Sequence, residues 1–264
     1  MPFPLAHPAA VLPLRRWCPR QLDFAALVIG SVTPDAGYCL QQFGVDQFSH
    51  SLMGSVVFCV PAGIAMLLVF HAIRESLVAT LPMPHRLALL PLCAQGGNRD
   101  ARVIVLSLLI GAWTHICLDR LTRESNWLLY QLPGLQDEIA AMERQHVRFY
   151  RLLWYALSLV GLAWLTLVYL QFLKRSTGYR SVFSRWDLKR YFFWAIVIVA
   201  PYLTVVPLTV PFQRDIPVLR ALRYFILGSM QVYLTVLAAL VVVIGFSVKL
   251  GKNRARRTRT NRRA

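Results

Sequence analysis

The sequence predicts an all-α, polytopic helical membrane protein: about five transmembrane helices plus a short N-terminal re-entrant or interfacial helical segment. Three observations carry that expectation. Hydrophobic residues fill 56% of the 264 positions and the mean hydropathy is +0.49, too apolar for a soluble domain of this length. Five apolar runs each approach the about 20 residues a helix needs to cross roughly 30 Å of hydrocarbon. Lysine and arginine, in a chain of net charge +17, concentrate between alternate runs, as a fixed membrane orientation requires.

The elements follow in chain order. The N-terminus does not resemble a signal peptide, because it lacks an early positive charge and carries prolines at 2, 4, 8 and 13. Asp23–Val32, "DFAALVIGSV", has only about half the length of a span and reads as a short buried or interfacial helix. The spans are expected at Ser51–Ile73, Val103–Leu121, Leu152–Leu173, Tyr191–Val210 and Tyr224–Val248. The stretch before the third, "LQDEIAAMERQHVRFYRLL", places Leu135, Ile139, Met142, His146 and Phe149 on one stripe at helical spacing, which predicts an amphipathic helix with His146 packed inside. "APYLTVVPLTVP" in the fourth run holds three prolines and reads as a kinked helix. Residues 1–248 therefore form one polytopic membrane domain, and 249–264, "KLGKNRARRTRTNRRA", a basic cytoplasmic tail that also meets anionic lipid; nucleic-acid binding is not expected.

Orientation comes from the loops. Residues 1–50, 122–151 and 211–223 hold three, four and three Lys or Arg, against four, six and eight in 74–102, 174–190 and 249–264. The positive-inside rule puts the second set in the cytoplasm and the N-terminus outside. The five cysteines, at 18, 39, 59, 93 and 117, show no C-x-x-C spacing and are expected to be buried free thiols.

Charge inside an apolar run is the informative exception. "THICLDRLT" puts His115 and Asp119 four residues apart, hence on one helix face, at the end of the second span. Ser107 and Gly111 extend that face inward, and small residues let another helix approach closely, so the stripe faces protein rather than lipid. A carboxylate near the membrane centre costs about 2.5–3.5 kcal/mol, and less at the boundary, so Asp119 is expected to have a partner. Three other segments end at the same surface: "AHPAAVLPLRR" with His7, "GSVTPDAGY" with Asp35, and "QFSHSLMGS" with His50. His7, Asp35, His50, His115 and Asp119 are thus candidate ligands of a zinc-like divalent ion, since imidazole nitrogen and carboxylate oxygen bind such an ion at about 2.0–2.2 Å. The ion offsets the buried charge, and a water on it ionises near pH 7. The competing reading is a capped helix end in which Asp119 pairs with Arg120 or Arg123. Those arginines themselves read either as a phosphate clamp or as interfacial snorkels. His71 and His85 fall on the opposite side and are set aside.

The motifs "HPAAVLPLRR", "LVIGSVTPDAGY", "FSHSLMGS" and "GAWTHICLDRLT" resemble those of the domain-of-unknown-function family 4184, bacterial multi-pass membrane proteins, over about residues 1–175. More distantly, their order is similar to that of membrane-bound metal-dependent hydrolases and of zinc-dependent phospholipases C. That likeness implies a metal site of Asp35, His50, His115 and Asp119, with Asp35 and Asp119 as the catalytic carboxylates and His7 at a further metal. The chain departs from it in two places. Arg123 stands where a histidine is common, and His146 is followed four positions later by Tyr150 rather than by glutamate.

Two functions remain open: a metal-dependent hydrolase, for which the likeness implies a phosphoester substrate in a lipid or envelope component, and a non-catalytic membrane protein with a structural metal or hydrogen-bonded cluster. A transporter is disfavoured, because the last two runs contain no acidic or basic residue.

Overall fold

The computed structural model describes residues 3–18, 21–94, 100–122, 138–142, 145–177, 185–209 and 218–261. The helices are α1 (Pro8–Trp17), α2 (Phe24–Gly30), α3 (Thr33–Ala36), α4 (Val45–Ser49), α5 (Leu52–Val78), α6 (Met83–Ala94), α7 (Ala101–Thr122), α8 (Phe149–Thr177), α9 (Arg185–Thr209) and α10 (Val218–Asn261). Among the described residues four helical stretches are long and apolar enough to cross a membrane: Leu52–Val78, Ala101–Thr122, Leu152–Thr177 and Val232–Ala255. They match the expected first, second, third and fifth spans; helix α9 covers the expected fourth up to Thr209. The helical polytopic fold is therefore as the sequence predicts.

Three features depart from the reading of the sequence. Residues 138–142 and 145–148, expected in an amphipathic helix, form two antiparallel strands, β1 (Glu138–Met142) and β2 (Gln145–Arg148), registered Ala141 to His146 and Met142 to Gln145. Ile139 and Val147 favour strand over helix, and a run this short carries both periods at once. The segment 83–94, counted as loop, is helical in spite of Pro91. The cysteines are free, but only Cys59 is buried; Cys39 and Cys117 are exposed. A span bounded by lipid is apolar all round, so an apolar neighbourhood does not reveal which face is inside. Arg123 lies outside the described residues, and so does the side chain of His146.

Two compact units are present. The first comprises Met1–Leu67 and Gly97–Gln171. Its centre is the contact of the short helix α2 with α7. Asp23 caps α2, its Oδ1 accepting from the Ala26 amide at 3.0 Å, while its own amide donates to Ser107 Oγ at 2.8 Å. A side chain on Gly111 would run into the Leu27 carbonyl and come within 2.7 Å of the Ser31 amide nitrogen, and one on Gly30 would come within 2.8 Å of Leu108 Cα. The expected small-residue stripe of the second span is thus the seat of α2. Ala26, Leu67 and Leu108 pack together beside it, and Val11, Leu22 and Leu27 form a second cluster. In lipid such close backbone approach and hydrogen bonding hold helices together, because apolar burial there gains little over contact with acyl chains. The N-terminal segment is tied to α8 as well: Phe3 N–H donates to Ser158 Oγ at 2.9 Å, and Gly161 leaves room for Ala6.

The second unit comprises Leu68–Gly96 and Phe172–Ala264. Here Asp187, buried, accepts from the Met83 amide at 3.0 Å and so caps α6; Arg190 lies 3.8 Å from the same oxygen. Gly245 packs against Ile73, and α10 runs on as helix through the basic tail to Asn261.

Candidate metal centre

All five expected site residues meet in the first unit. Each arrives by a different route. His7 stands at the N-cap of α1. Asp35 lies in the single turn α3, which follows α2 after a break at Val32. His50 ends α4, itself started by Gly44 in the left-handed region at φ 67°, a backbone conformation that favours glycine. His115 and Asp119 project from the buried face of α7. Beyond His50 the first span opens with a π-turn over Ser55–Cys59, and such turns gather at functional sites. It lets Trp113 Nε1 donate to Ser55 Oγ at 3.0 Å and Cys59 Sγ to the Ser49 carbonyl at 3.4 Å, tying α5 to α7 and to the His50 turn.

The donor atoms converge. His50 Nε2 lies 3.6 Å from Asp35 Oδ1 and 3.5 Å from Asp119 Oδ2; His115 Nε2 lies 3.5 Å and 3.8 Å from the same two oxygens. His7 Nε2 sits 3.6 Å from the other Asp119 oxygen, Oδ1, and its ring stacks on His115 with centroids 3.7 Å apart. These separations exceed ordinary N–H···O hydrogen bonds. Four ligand atoms at about 2.0–2.1 Å around one tetrahedral ion lie roughly 3.3–3.4 Å from one another, close to what is seen between the two imidazoles and the two carboxylates. Two triads, His7–Asp35–His115 and His50–His115–Asp119, each bring one ligand atom per residue within 4.8 Å of the others.

The imidazoles are also set in the right tautomer. His115 Nδ1 is 2.8 Å from the Ser31 carbonyl and His50 Nδ1 is 2.7 Å from the Asp46 carbonyl. A carbonyl only accepts, so each Nδ1 carries the proton and each Nε2 turns a lone pair to the centre, the arrangement typical of metal-ligating histidine. Neither Nε2 has a hydrogen-bond partner among the described residues, nor do the carboxylate oxygens of Asp35 or either nitrogen of His7, although all are buried. Buried polar atoms are ordinarily hydrogen-bonded, so a divalent cation fits this set both in donor chemistry and in what its donors lack.

The supporting groups left no trace in the sequence reading. Ser31 and Asp46 act through backbone carbonyls. Ser49 Oγ donates to the Pro34 carbonyl at 2.9 Å and thereby links α4 to α3, and Tyr38 leans on His50 at 5.4 Å between ring centroids.

Burial, and after it the neighbouring His115, pushes His7 down to about 3, so it is neutral at any physiological pH. Burial on its own raises Asp35, but His115 and His50 beside its carboxylate outweigh that and hold it below the usual carboxylate range. In the second unit His85 lies against Tyr191 and His71 against Phe70.

The fold and this cluster define a polytopic helical membrane protein with a buried His/Asp centre held by its N-terminal segment and second span. The chain belongs to the family described as Domain of unknown function (DUF4184), whose model matches residues 1–249. No curated protein and no solved structure matches it.

Proposed function

We propose that this protein is a membrane-embedded metal-dependent hydrolase acting on a phosphoester of a lipid or envelope component, at the outer face of a bacterial inner membrane. The observation that carries the reading is the gathering of three imidazoles and two carboxylates, with His50 and His115 locked by backbone carbonyls so that both Nε2 atoms face Asp35 and Asp119. His50, His115, Asp35 and Asp119 would hold one zinc-like ion, and His7 with Asp119 Oδ1 offers a further position. When bound, the ion supplies Lewis acidity toward a phosphoryl oxygen and lowers the pKa of a coordinated water.

The chain's own residues do the rest. Asp35, whose carboxylate oxygens are buried and without a hydrogen-bond partner among the described residues, would accept a proton from an attacking water at the centre. Asp119, at 2%, ties His7, His50 and His115 to one another. The uneven distribution of basic residues among the loops supports an outward-facing site under the positive-inside rule, and the order of the motifs is similar to that of metal-dependent hydrolases.

One observation favours a second reading: the centre is nearly closed, with His7 and His115 at 0% side-chain exposure. A non-catalytic protein that keeps a structural metal is built this way. Elemental analysis of the purified wild type beside Asp35→Ala and His115→Ala tests the site, with stoichiometric zinc or manganese expected only in the wild type. A metal-free wild type overturns both readings. Hydrolysis of bis(4-nitrophenyl) phosphate, lost in the same variants, separates enzyme from scaffold.

A further inference from the structure

We infer that the substrate is a membrane amphiphile, a lipid-linked phosphoester that reaches the centre sideways from the bilayer leaflet across residues 38–53. The inference rests on the hydrolase reading and narrows its substrate class.

The centre is not equally covered on all sides. Among the five candidate ligands only Asp35, at 12%, and His50, at 5%, have more than 2% of the side chain exposed, although their ligand atoms are buried. Both belong to the α3–α4 segment, so the cover is thinnest where this segment borders the centre. The large exposed side chains of this segment and of the start of α5 are apolar: Leu40, Phe43 and Phe48, then Leu52 and Met53, with Phe43 at 79% and Leu52 at 64%. Between residues 37 and 57 the only charged side chain is Asp46. A patch of this kind on a water-facing surface is costly and marks an interaction site. Here it runs without a break into the exposed Val56 and Val57 of the span Leu52–Val78, whose surface faces acyl chains. Continuity with that surface identifies the occupant as the lipid leaflet itself. Short helices with glutamine and serine among large apolar side chains suit the headgroup boundary, where one face is wet and the other is not. A phosphoester head at that depth lies level with Asp35 and His50, while its acyl chains stay against Phe43 and Leu52.

The test has two arms. A benzophenone amino acid at Phe43 or Leu52, irradiated in vesicles of phosphatidylethanolamine and phosphatidylglycerol, is expected to give lipid adducts by mass spectrometry. Water quenching without adducts, or adducts to a protein instead, overturns the inference whether or not the chain is a hydrolase. In the second arm, Phe43→Asp/Leu52→Asp is compared with wild type on vesicle-embedded phosphatidylglycerol and on soluble bis(4-nitrophenyl) phosphate. The ratio of lipid to soluble turnover is expected to fall at least about tenfold. An unchanged ratio in an active enzyme overturns the inference, whereas a metal-loaded wild type inert on both substrates removes the hydrolase reading and leaves the crosslinking arm to judge the lipid-facing segment.

Discussion

The Nδ1 atom of His115 lies 2.8 Å from the backbone carbonyl of Ser31, so a candidate ligand on the second span is aimed by the end of a seven-residue helix in the N-terminal segment. That contact exists only because α2 lies directly on Gly111. A methyl group at 111 would meet the Leu27 carbonyl and the Ser31 amide, both rigid backbone. Gly111→Ala is expected to lift α2, cost about 1–3 kcal/mol of stability and reduce metal affinity roughly 10–100-fold by misaligning His115. Thermal unfolding in detergent and metal titration of the same sample measure the two effects. Unchanged metal affinity would show that the Ser31 carbonyl does not set the ring.

His7 depends in the same way on the third span. Ala6 fits against Gly161, where a Cβ would come within 2.9 Å of Ala6 Cβ, and the Phe3 amide bonds to Ser158 just below. Gly161→Leu is expected to displace residues 3–7 and to lower metal content to the level of His7→Ala, while the other four ligands keep what they hold. If Gly161→Leu retains wild-type metal content and His7→Ala does not, the N-terminal segment is fixed by something other than α8.

The two levels of organisation were unequally visible in the residues. The spans were legible because hydrocarbon thickness sets a length that the runs beginning at 52, 101 and 152 satisfy. The pair His115 and Asp119 was legible because helix geometry places i and i+4 together, and the small residues Ser107 and Gly111 told which way the pair faces. That His7, Asp35 and His50 close on it was suggested by where the segments end and by the likeness to known motif orders. The supporting shell was invisible for a physical reason: Ser31 and Asp46 contribute carbonyls that every residue type possesses. The strand pair at 138–142 and 145–148 was missed because its apolar positions satisfy a helical stripe equally well, and the exposure of Cys117 because lipid leaves no polar mark on the outward face of a span.

Charge balance gives a sharper prediction. Asp35 and Asp119 both approach the Nε2 atoms of the same two imidazoles at 3.5–3.8 Å, and two buried carboxylates so close repel unless a cation lies between them. Chelation is therefore expected to lower the apparent melting temperature of the wild type, since an ion at 1,000 times its Kd stabilises a fold by about 4 kcal/mol. Asp119→Asn is expected to lose the metal, yet in chelator to melt above the chelated wild type, because one of the repelling charges is gone. A wild type whose melting is indifferent to EDTA would contradict a tightly bound ion.

The last prediction concerns acid and the chelated protein. Burial, followed by the proximity of His115, takes His7 from its ordinary 6.5 to about 3. Between those values the unfolded chain binds a proton at His7 that the folded chain does not, so the fold loses stability as pH falls through this window. Asp35 behaves differently: its folded value lies below the ordinary 3.8, so its contribution is intact above that pH and fades only below it. From pH 6.5 down to 4 the change due to His7 is thus separate from that of Asp35. Wild type in chelator is expected to lose up to about 1.4 kcal/mol per pH unit more than His7→Gln across that range. Denaturant unfolding at half-unit steps measures it, and parallel stability curves for the two proteins would mean that His7 is protonated in the fold and does not stand as a neutral ligand.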